Sequence, residues 1–303
     1  MKAPMKLLNE HPPGATGPTP PNIATVHVVK PSPPPSSTAG EAEVRSESLH
    51  IEYSSTQVMA DALVRLQRTH GVVKMDRSEL AESFKMLRNQ VLQRMRADGH
   101  TLLAVTSPRH IEGKSLTALN LALAIAADYD STVLLIDADL TGQGLQSMFG
   151  LDGALGLSDH LMHGVPIPKL LVNPGVARFV LLPAGQQAVL NSAELLATKA
   201  AQQLVREMKQ RYPDRYIIVD LPPLLDTADA LAFLPQAETT LVVIEEHTTS
   251  ILDMETMTDL LAPFNLLGTV MSQARQTEKL AASTRPPWYR RWVWGKGGAR
   301  VDR

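Results

Sequence analysis

The chain has 303 residues, of which 44% are hydrophobic and 20% charged, and its formal net charge is −2. This composition supplies a buried core, and the lack of cysteine excludes disulfides, thiolate metal sites and cysteine nucleophiles. No apolar run is long enough to span a bilayer and the first residues lack the apolar region of a secretory signal, so we expect a cytoplasmic protein. We also expect no nucleic-acid partner.

The N-terminal third divides into two parts. Residues 1–50 are predicted to form a disordered Pro-rich arm, because ten of the 22 prolines precede residue 41 and few large apolar residues accompany them; a partner-binding Pro motif is the alternative. Residues 51–99 are predicted to form a helical segment. Its first helix follows Gln57 and ends near Gly71, and its second begins after the N-cap Ser78 with an apolar face of Leu80, Phe84, Leu87 and Val91.

Residues 100–275 alternate short apolar runs with helical patterns, which predicts an α/β fold with a doubly wound, mostly parallel sheet. Helices are expected near Lys114, Ser192, Asp226 and Ser250. Residues 276–303 form a basic tail that holds all three tryptophans. The predicted strands are residues 102–106, 132–136, 179–182, 216–219, 240–244 and 267–271.

A phosphate-binding loop is predicted where the first of these strands meets a helix. Gly113, Lys114 and Ser115 close that loop, although Pro108 stands where the pattern G-x-x-x-x-G-K-[ST] has its first glycine. Free backbone N–H groups there attract phosphate, Lys114 can reach the β- and γ-phosphates, and the Ser115 hydroxyl can ligate Mg²⁺. We therefore predict that these three residues and Leu116 bind the nucleotide; a chance tripeptide at a helix start is the alternative.

Two later strands end in carboxylates. Asp137 and Asp139 follow one apolar run, and Asp220 follows another. Because the carboxyl ends of parallel strands line the ligand crevice, all three are predicted to lie near Mg²⁺ and the transferring phosphate; helix caps or loop acids are the alternative.

The order of GKS, VLLIDADL and IIVDLPP resembles the bacterial tyrosine kinase (BY-kinase) family, a MinD/ParA-like branch of the P-loop NTPases, and especially its exosortase- and exopolysaccharide-associated autokinases. The likeness covers residues 78–275 and includes the segments 191–196, 221–223 and 268–270. The spacing of Glu82, Lys85 and Arg88 resembles the family's oligomerisation motif, which implies a homo-oligomer.

The resemblance implies an ATP- and Mg²⁺-dependent autokinase that phosphorylates tyrosines in its own tail and is stimulated, at the inner membrane, by a chain-length regulator of polysaccharide export. It implies that Lys114 holds phosphates and that Asp137 or Asp139 positions the nucleophile. Ser115, Asp137 and Asp220 would hold Mg²⁺. The candidate acceptor is Tyr289, which is followed by two arginines.

Three residues depart from the family pattern: Ile111 replaces a glycine, Thr141 an arginine, and Ser272 an asparagine that often contacts the base. In addition, Tyr289 is the only tyrosine after Tyr216. These departures keep two alternatives open. One is a catalytically weak, nucleotide-dependent scaffold of the export complex. The other is a MinD/ParA-like positioning ATPase, although Arg109 stands where such proteins place a second lysine.

Overall fold

The computed structural model describes residues 57–59, 61–110, 113–141, 144–211 and 214–272. Eight strands form one sheet in the order β1-β4-β5-β3-β6-β2-β7-β8, and every pair is parallel except β4 with β5. Their bounds are β1 Gln57–Val58, β2 Leu102–Thr106, β3 Thr132–Asp137, β4 Val172–Asn173, β5 Phe179–Leu182, β6 Arg215–Asp220, β7 Thr239–Glu245 and β8 Leu266–Ser272.

Helices cover both faces of this sheet. They are α1 Ala62–Thr69, α2 Glu79–Ala97, α3 Lys114–Ala126, α4 Leu145–Met148, α5 Leu157–His163, α6 Ser192–Leu196, α7 Lys199–Arg211, α8 Asp229–Phe233 and α9 Ile251–Leu261. Strand side chains alternate between two cores: Leu103 and Val105 pack with α1, α2 and α3, whereas Leu102 and Ala104 pack with α7, α8 and α9. Burial on both sides explains why the central strands are continuously apolar.

The predicted doubly wound sheet is confirmed. Six predicted strands are present, and each observed end lies within one residue of the predicted end. The short strands β1 and β4 were not predicted, because two residues carry too little periodicity to be recognised. The pattern after Ser192 resolves into two helices, and α8 begins at Asp229 instead of near Asp226.

The two helices before the sheet differ in how well their sequence predicted them. In α2 the Ser78 hydroxyl accepts a hydrogen bond from the Ala81 amide, and Phe84, Leu87 and Val91 are buried, as predicted. The helical prediction after Gln57 is wrong at its start, because residues 57–58 pair with β4 and α1 begins only at Ala62. Tertiary pairing with a strand more than 100 residues away overrides the local helical spacing there.

The arm of residues 1–50 and the tail of residues 276–303 lie outside the described residues. Across the part of the chain that the structure describes, no helix combines the length and apolar character needed to cross a bilayer.

Candidate active site

The loop between β2 and α3 brings Lys114 into a buried ion pair. Gly113 has a φ of 118°, a backbone conformation that side-chain-bearing residues rarely adopt, and it is the N-cap of α3. From the first turn of the helix, Lys114 Nζ lies 2.7 Å from Asp220 Oδ1 and 3.3 Å from Ser115 Oγ. The predicted loop lysine and strand-end aspartate therefore meet. Ile111 lies outside the described residues.

The sheet register explains how two of the acids come together. Asp137 and Asp220 are the last residues of the neighbouring strands β3 and β6, and they are register partners. The Ala138 amide donates to the Asp220 carbonyl at 2.9 Å, so the pairing continues one residue past β3. Both side chains are fully buried. Two carboxyl groups and one ammonium group thus share the carboxyl edge of the sheet, where parallel sheets bind ligands.

Burial and neighbouring charge alter the protonation of these acids. Burial, with a further contribution from Asp220 and a smaller one from Asp139, raises the pKa of Asp137 to about 8, although the Gln146 N–H and the charge of Lys114 oppose the rise. Burial also raises the pKa of Asp220, and the ammonium group of Lys114 again opposes it. A pKa of about 8 means that Asp137 retains a proton at neutral pH.

Asp139 is held by the residue that departs from the family pattern. The backbone N–H and the hydroxyl of Thr141 both donate to Asp139 Oδ1, at 3.2 and 2.5 Å. The Asp139 amide donates to Asp137 Oδ1 at 3.2 Å. A threonine at position 141 consequently orients the third predicted acid by a short local hydrogen bond, where an arginine would supply a positive charge.

The sequence did not reveal two residues that hold Asp137 in place. The Gln146 amide N–H donates to Asp137 Oδ2 at 2.6 Å, while the Gln146 side chain makes two hydrogen bonds with the backbone of Gly185. A Cβ at Gly144 would lie 2.5 Å from Asp137 Oδ1, so only glycine allows this close approach. No local sequence signal marks either residue, because both act on a carboxylate that β3 contributes.

The carboxylate and hydroxyl oxygens at this edge of the sheet are suitable ligands for Mg²⁺. Asp220 Oδ2 is buried and has no hydrogen-bond partner among the described residues. A hydrogen bond from the Ser115 hydroxyl to the same carboxyl group opposes the rise in the pKa of Asp220. Carboxylate and hydroxyl oxygens are the ligands that Mg²⁺ accepts, together with water and phosphate oxygens. Within the described ranges, no group of three or more His, Asp or Glu side chains could hold a metal by itself. The predicted set of Ser115, Asp137 and Asp220 therefore fits a Mg²⁺ ion that is partly coordinated by phosphate.

Arg109 links the loop to two other elements. Its guanidinium contacts Asp226, which follows β6, and Asp253 in the first turn of α9, each at 3.0 Å. The His110 amide also donates to Asp226, at 2.7 Å. Both carboxylates raise the pKa of Arg109, so its charge is matched within its own chain.

The residues of the predicted oligomerisation motif make contacts within the chain. Lys85 Nζ lies 2.7 Å from Glu82 Oε1 and donates to the Asp76 carbonyl at 2.6 Å. Arg88 donates to the Asn89 side chain and to the Ala124 carbonyl. All three motif residues lie on α2, where Glu82 is exposed and Lys85 and Arg88 are half-buried.

Ser272 and Leu116 are both buried beside the phosphate loop. The side chain of Ser272 is fully buried at the end of β8, and its Oγ has no partner in the described part of the chain. A Cβ at Gly113 would lie 3.4 Å from the Ser272 Cβ, so β8 ends beside the phosphate loop. Leu116 is buried in the first turn of α3, and Tyr289 lies outside the described residues.

Residues 100–272 match the model of the ParA family, described as "NUBPL iron-transfer P-loop NTPase". Among curated proteins, the succinoglycan biosynthesis transport protein ExoP of Rhizobium meliloti is 30% identical over 66% of this chain and 26% of its own length. The tyrosine-protein kinase wzc of Salmonella typhimurium is 29% identical over 58% and 24%, respectively. The chain thus spans about a quarter of the length of these relatives.

Solved structures agree with this fold. The kinase domain of the Escherichia coli tyrosine kinase ETK is 26% identical, with a TM-score of 0.63, and the match covers 77% of this chain and 94% of that domain. The BceF tyrosine kinase domain is 23% identical, with a TM-score of 0.59, over 72% of this chain and 91% of that one; this likeness concerns the fold alone.

Proposed function

Because the chain belongs to the ParA family of P-loop NTPases, which implies nucleotide binding, we propose that it is an ATP- and Mg²⁺-dependent protein-tyrosine autokinase that regulates exopolysaccharide or capsule biosynthesis and export. The observation that carries this proposal is the meeting of Lys114 with Asp220, Asp137 and Asp139 at the carboxyl edge of the sheet. Relatives named as tyrosine kinases and as a succinoglycan transport protein support the choice of reaction and of process.

The proposal includes a cellular setting. Residues 100–275 would be the kinase domain, preceded by the arm of residues 1–50 and the helical segment of residues 51–99, and followed by the tail of residues 276–303. The protein would act in the cytoplasm at the inner membrane face, recruited by a membrane chain-length regulator. Glu82, Lys85 and Arg88 would contribute to a homo-oligomer by exchanging their partners within the chain for a neighbouring subunit.

In the proposed reaction the residues have separate tasks. Lys114 would bind the phosphates, and Ser115, Asp137 and Asp220 would hold Mg²⁺, which neutralises the developing charge. Asp139 would orient the phenol of Tyr289 and accept its proton. The phenolic oxygen forms a bond to the γ-phosphorus as the bond from that phosphorus to the β,γ-bridging oxygen breaks, and ADP leaves with the bond electrons.

Phosphotyrosine mass spectrometry tests this proposal. The purified chain is incubated with ATP and Mg²⁺, with and without its candidate membrane activator, beside Lys114→Met and Tyr289→Phe. We expect phosphate on Tyr289 that is absent from both variants. If no phosphotyrosine forms under either condition while ATP binding is intact, the autokinase is refuted.

A second candidate is a nucleotide-dependent scaffold of the export complex with little catalysis. Two observations favour it: Thr141 replaces a positive charge beside Asp139, and the chain has a single tyrosine after Tyr216. It predicts that ATP changes the oligomer mass measured by light scattering without forming phosphotyrosine, and that Arg88→Glu abolishes this change.

A positioning ATPase of the MinD/ParA type is less well supported. Such a role would need Arg109 to reach the nucleotide of a second subunit, yet Asp226 and Asp253 already bind its guanidinium. It predicts an ATP-dependent dimer that Arg109→Ala abolishes.

A further inference from the structure

A cavity of about 400 Å³ lies beside Thr141, which binds Asp139. Its walls include Thr141, Val189, Leu190, Asp226 and Asp229. Thr141 connects it to the site, because the Thr141 hydroxyl binds the Asp139 carboxylate at 2.5 Å. The Val189 amide donates to the Leu140 carbonyl at 2.9 Å, which fixes the apolar wall to the same segment. A group bound in this cavity therefore lies next to the acid that is proposed to orient the acceptor.

The cavity wall contains a buried acid with an unsatisfied oxygen. Asp229 is only 4% exposed, and its Oδ2 has no hydrogen-bond partner within the described residues. Burial raises the pKa of Asp229, a hydrogen bond from Ser192 opposes this, and the charge of Asp139 adds to the rise. A buried carboxyl oxygen without a partner is costly, so Oδ2 favours a ligand that brings a donor or a positive charge.

The other acid of the wall is already paired. Asp226 binds the Arg109 guanidinium and the His110 amide. Asp229 is therefore the carboxyl group that a ligand would satisfy. Beside it, Val189 and the fully exposed Leu190 offer apolar surface. The combination of a buried acid with apolar walls suits an aromatic side chain that is followed by a cationic one.

The chain itself contains such a segment within reach. Residues 286–292 have the sequence PPWYRRW, in which Tyr289 precedes two arginines. The strand β8 ends at Ser272, beside Gly113 of the phosphate loop. Tyr289 lies seventeen positions after Ser272, and an extended chain of that length spans roughly 56 Å. Tyr289 can therefore reach the cavity from the edge of the sheet at which β8 ends.

We propose that this cavity is the acceptor subsite of the enzyme, that it binds residues 286–292, and that Asp229 selects the arginine that follows the acceptor tyrosine. The inference rests on the proposed kinase function and adds the chemical class of the acceptor, a tyrosine with a basic residue on its C-terminal side. Asp229 contacts the segment but takes no part in phosphoryl transfer.

Photo-crosslinking of the full chain tests the subsite without any need for catalysis. Tyr289 is replaced by p-benzoylphenylalanine, the protein is irradiated, and crosslinked peptides are mapped by mass spectrometry. We expect crosslinks to residues 188–190. Asp229→Asn should lower their yield at least about fivefold, because the carboxylate charge that attracts the arginine is lost. Replacement of the exposed acid Asp152 by Asn should leave the yield unchanged.

A second pair of changes guards against loss of folding in Asp229→Asn. Arg290→Gln with Arg291→Gln leaves the described core untouched and should lower the yield at least as much. Crosslinks that lie elsewhere on the chain, or a yield that neither Asp229→Asn nor the arginine changes alter, would overturn the proposal. Crosslinks at 188–190 in the p-benzoylphenylalanine variant, combined with no phosphate on Tyr289 of the wild-type chain, would instead refute the kinase and retain the binding site. Phosphate on Tyr289 with crosslinks elsewhere would do the reverse.

Discussion

Replacing Asp137 by asparagine removes an acid whose pKa burial raises to about 8. The ordinary aspartate pKa is 3.8, and the pKa of Asp137 in the folded chain is about 8. Between these values the folded protein holds a proton that the unfolded chain has released, so the free energy of unfolding falls as pH rises. One proton corresponds to about 1.4 kcal/mol per pH unit. From pH 5 to pH 7, wild type should therefore lose about 3 kcal/mol of unfolding free energy relative to Asp137→Asn.

Asparagine is a suitable replacement because its side-chain oxygen can still accept the Gln146 N–H, which donates to Asp137 at 2.6 Å. Stability is measured by urea denaturation at pH 5, 6, 7 and 8 in EDTA without nucleotide. Circular dichroism is the better probe, because all three tryptophans lie in the tail of residues 276–303. Asp152→Asn, at an exposed site, is the matched control.

The quantity that decides the outcome is the difference in stability between wild type and Asp137→Asn. It should change steadily in favour of the variant as pH rises from 5 to 7, with unchanged denaturant slopes. A difference that stays constant across this range would refute the reasoning, because it would mean that Asp137 is ionised in the folded protein at pH 5.

Three further changes test the support of the site. Gly144→Ala places a Cβ 2.5 Å from Asp137 Oδ1, so we expect the free energy of unfolding, measured by urea denaturation, to fall by about 1–3 kcal/mol and ATP turnover to slow. Wild-type stability and turnover would contradict the close approach. Gln146→Leu leaves both backbone groups of Gly185 unpaired, so we expect the free energy of unfolding to fall by about 2–4 kcal/mol and the Gly185 amide to exchange faster. Unchanged exchange would refute the two hydrogen bonds between Gln146 and Gly185. Lys114→Met leaves a buried carboxylate without its cation, so its loss of stability should be larger at pH 8 than at pH 5, and a pH-independent loss would exclude the ion pair.

The sheet was predictable because its strands are buried on both faces. Continuous apolar runs such as residues 102–106 and 240–244 can be recognised without knowledge of their neighbours. The strands β1 and β4 were not recognised, because two-residue strands exist only through their partners. The split between α6 and α7 was also missed, since the residues on either side of it suit a helix equally well.

The candidate site was predictable as a set of residues but not as an arrangement. Lys114 and Asp220 are 106 positions apart, yet the rule that parallel strands end at one edge placed them together, and the structure has them in contact. The sequence could not identify Gln146 or Asp229, because neither belongs to a motif. Gln146 acts through Asp137, nine positions away, and Gly185, 39 positions away, whereas Asp229 is distinguished by its burial; these features arise only when the chain is folded.

The charges at this edge constrain what can bind there. Asp137, Asp139 and Asp220 are all buried, and Lys114 pairs with only one of them. The excess of acid is compensated in part by the proton that Asp137 retains up to a pH of about 8. A divalent cation that used Asp137 as a ligand would have to displace this proton, so its affinity should rise with pH through the range in which Asp137 ionises. Proton and cation are thus alternative ligands of the same carboxylate, and the N–H groups of Gln146 and Asp139 hold that carboxylate in one position for either.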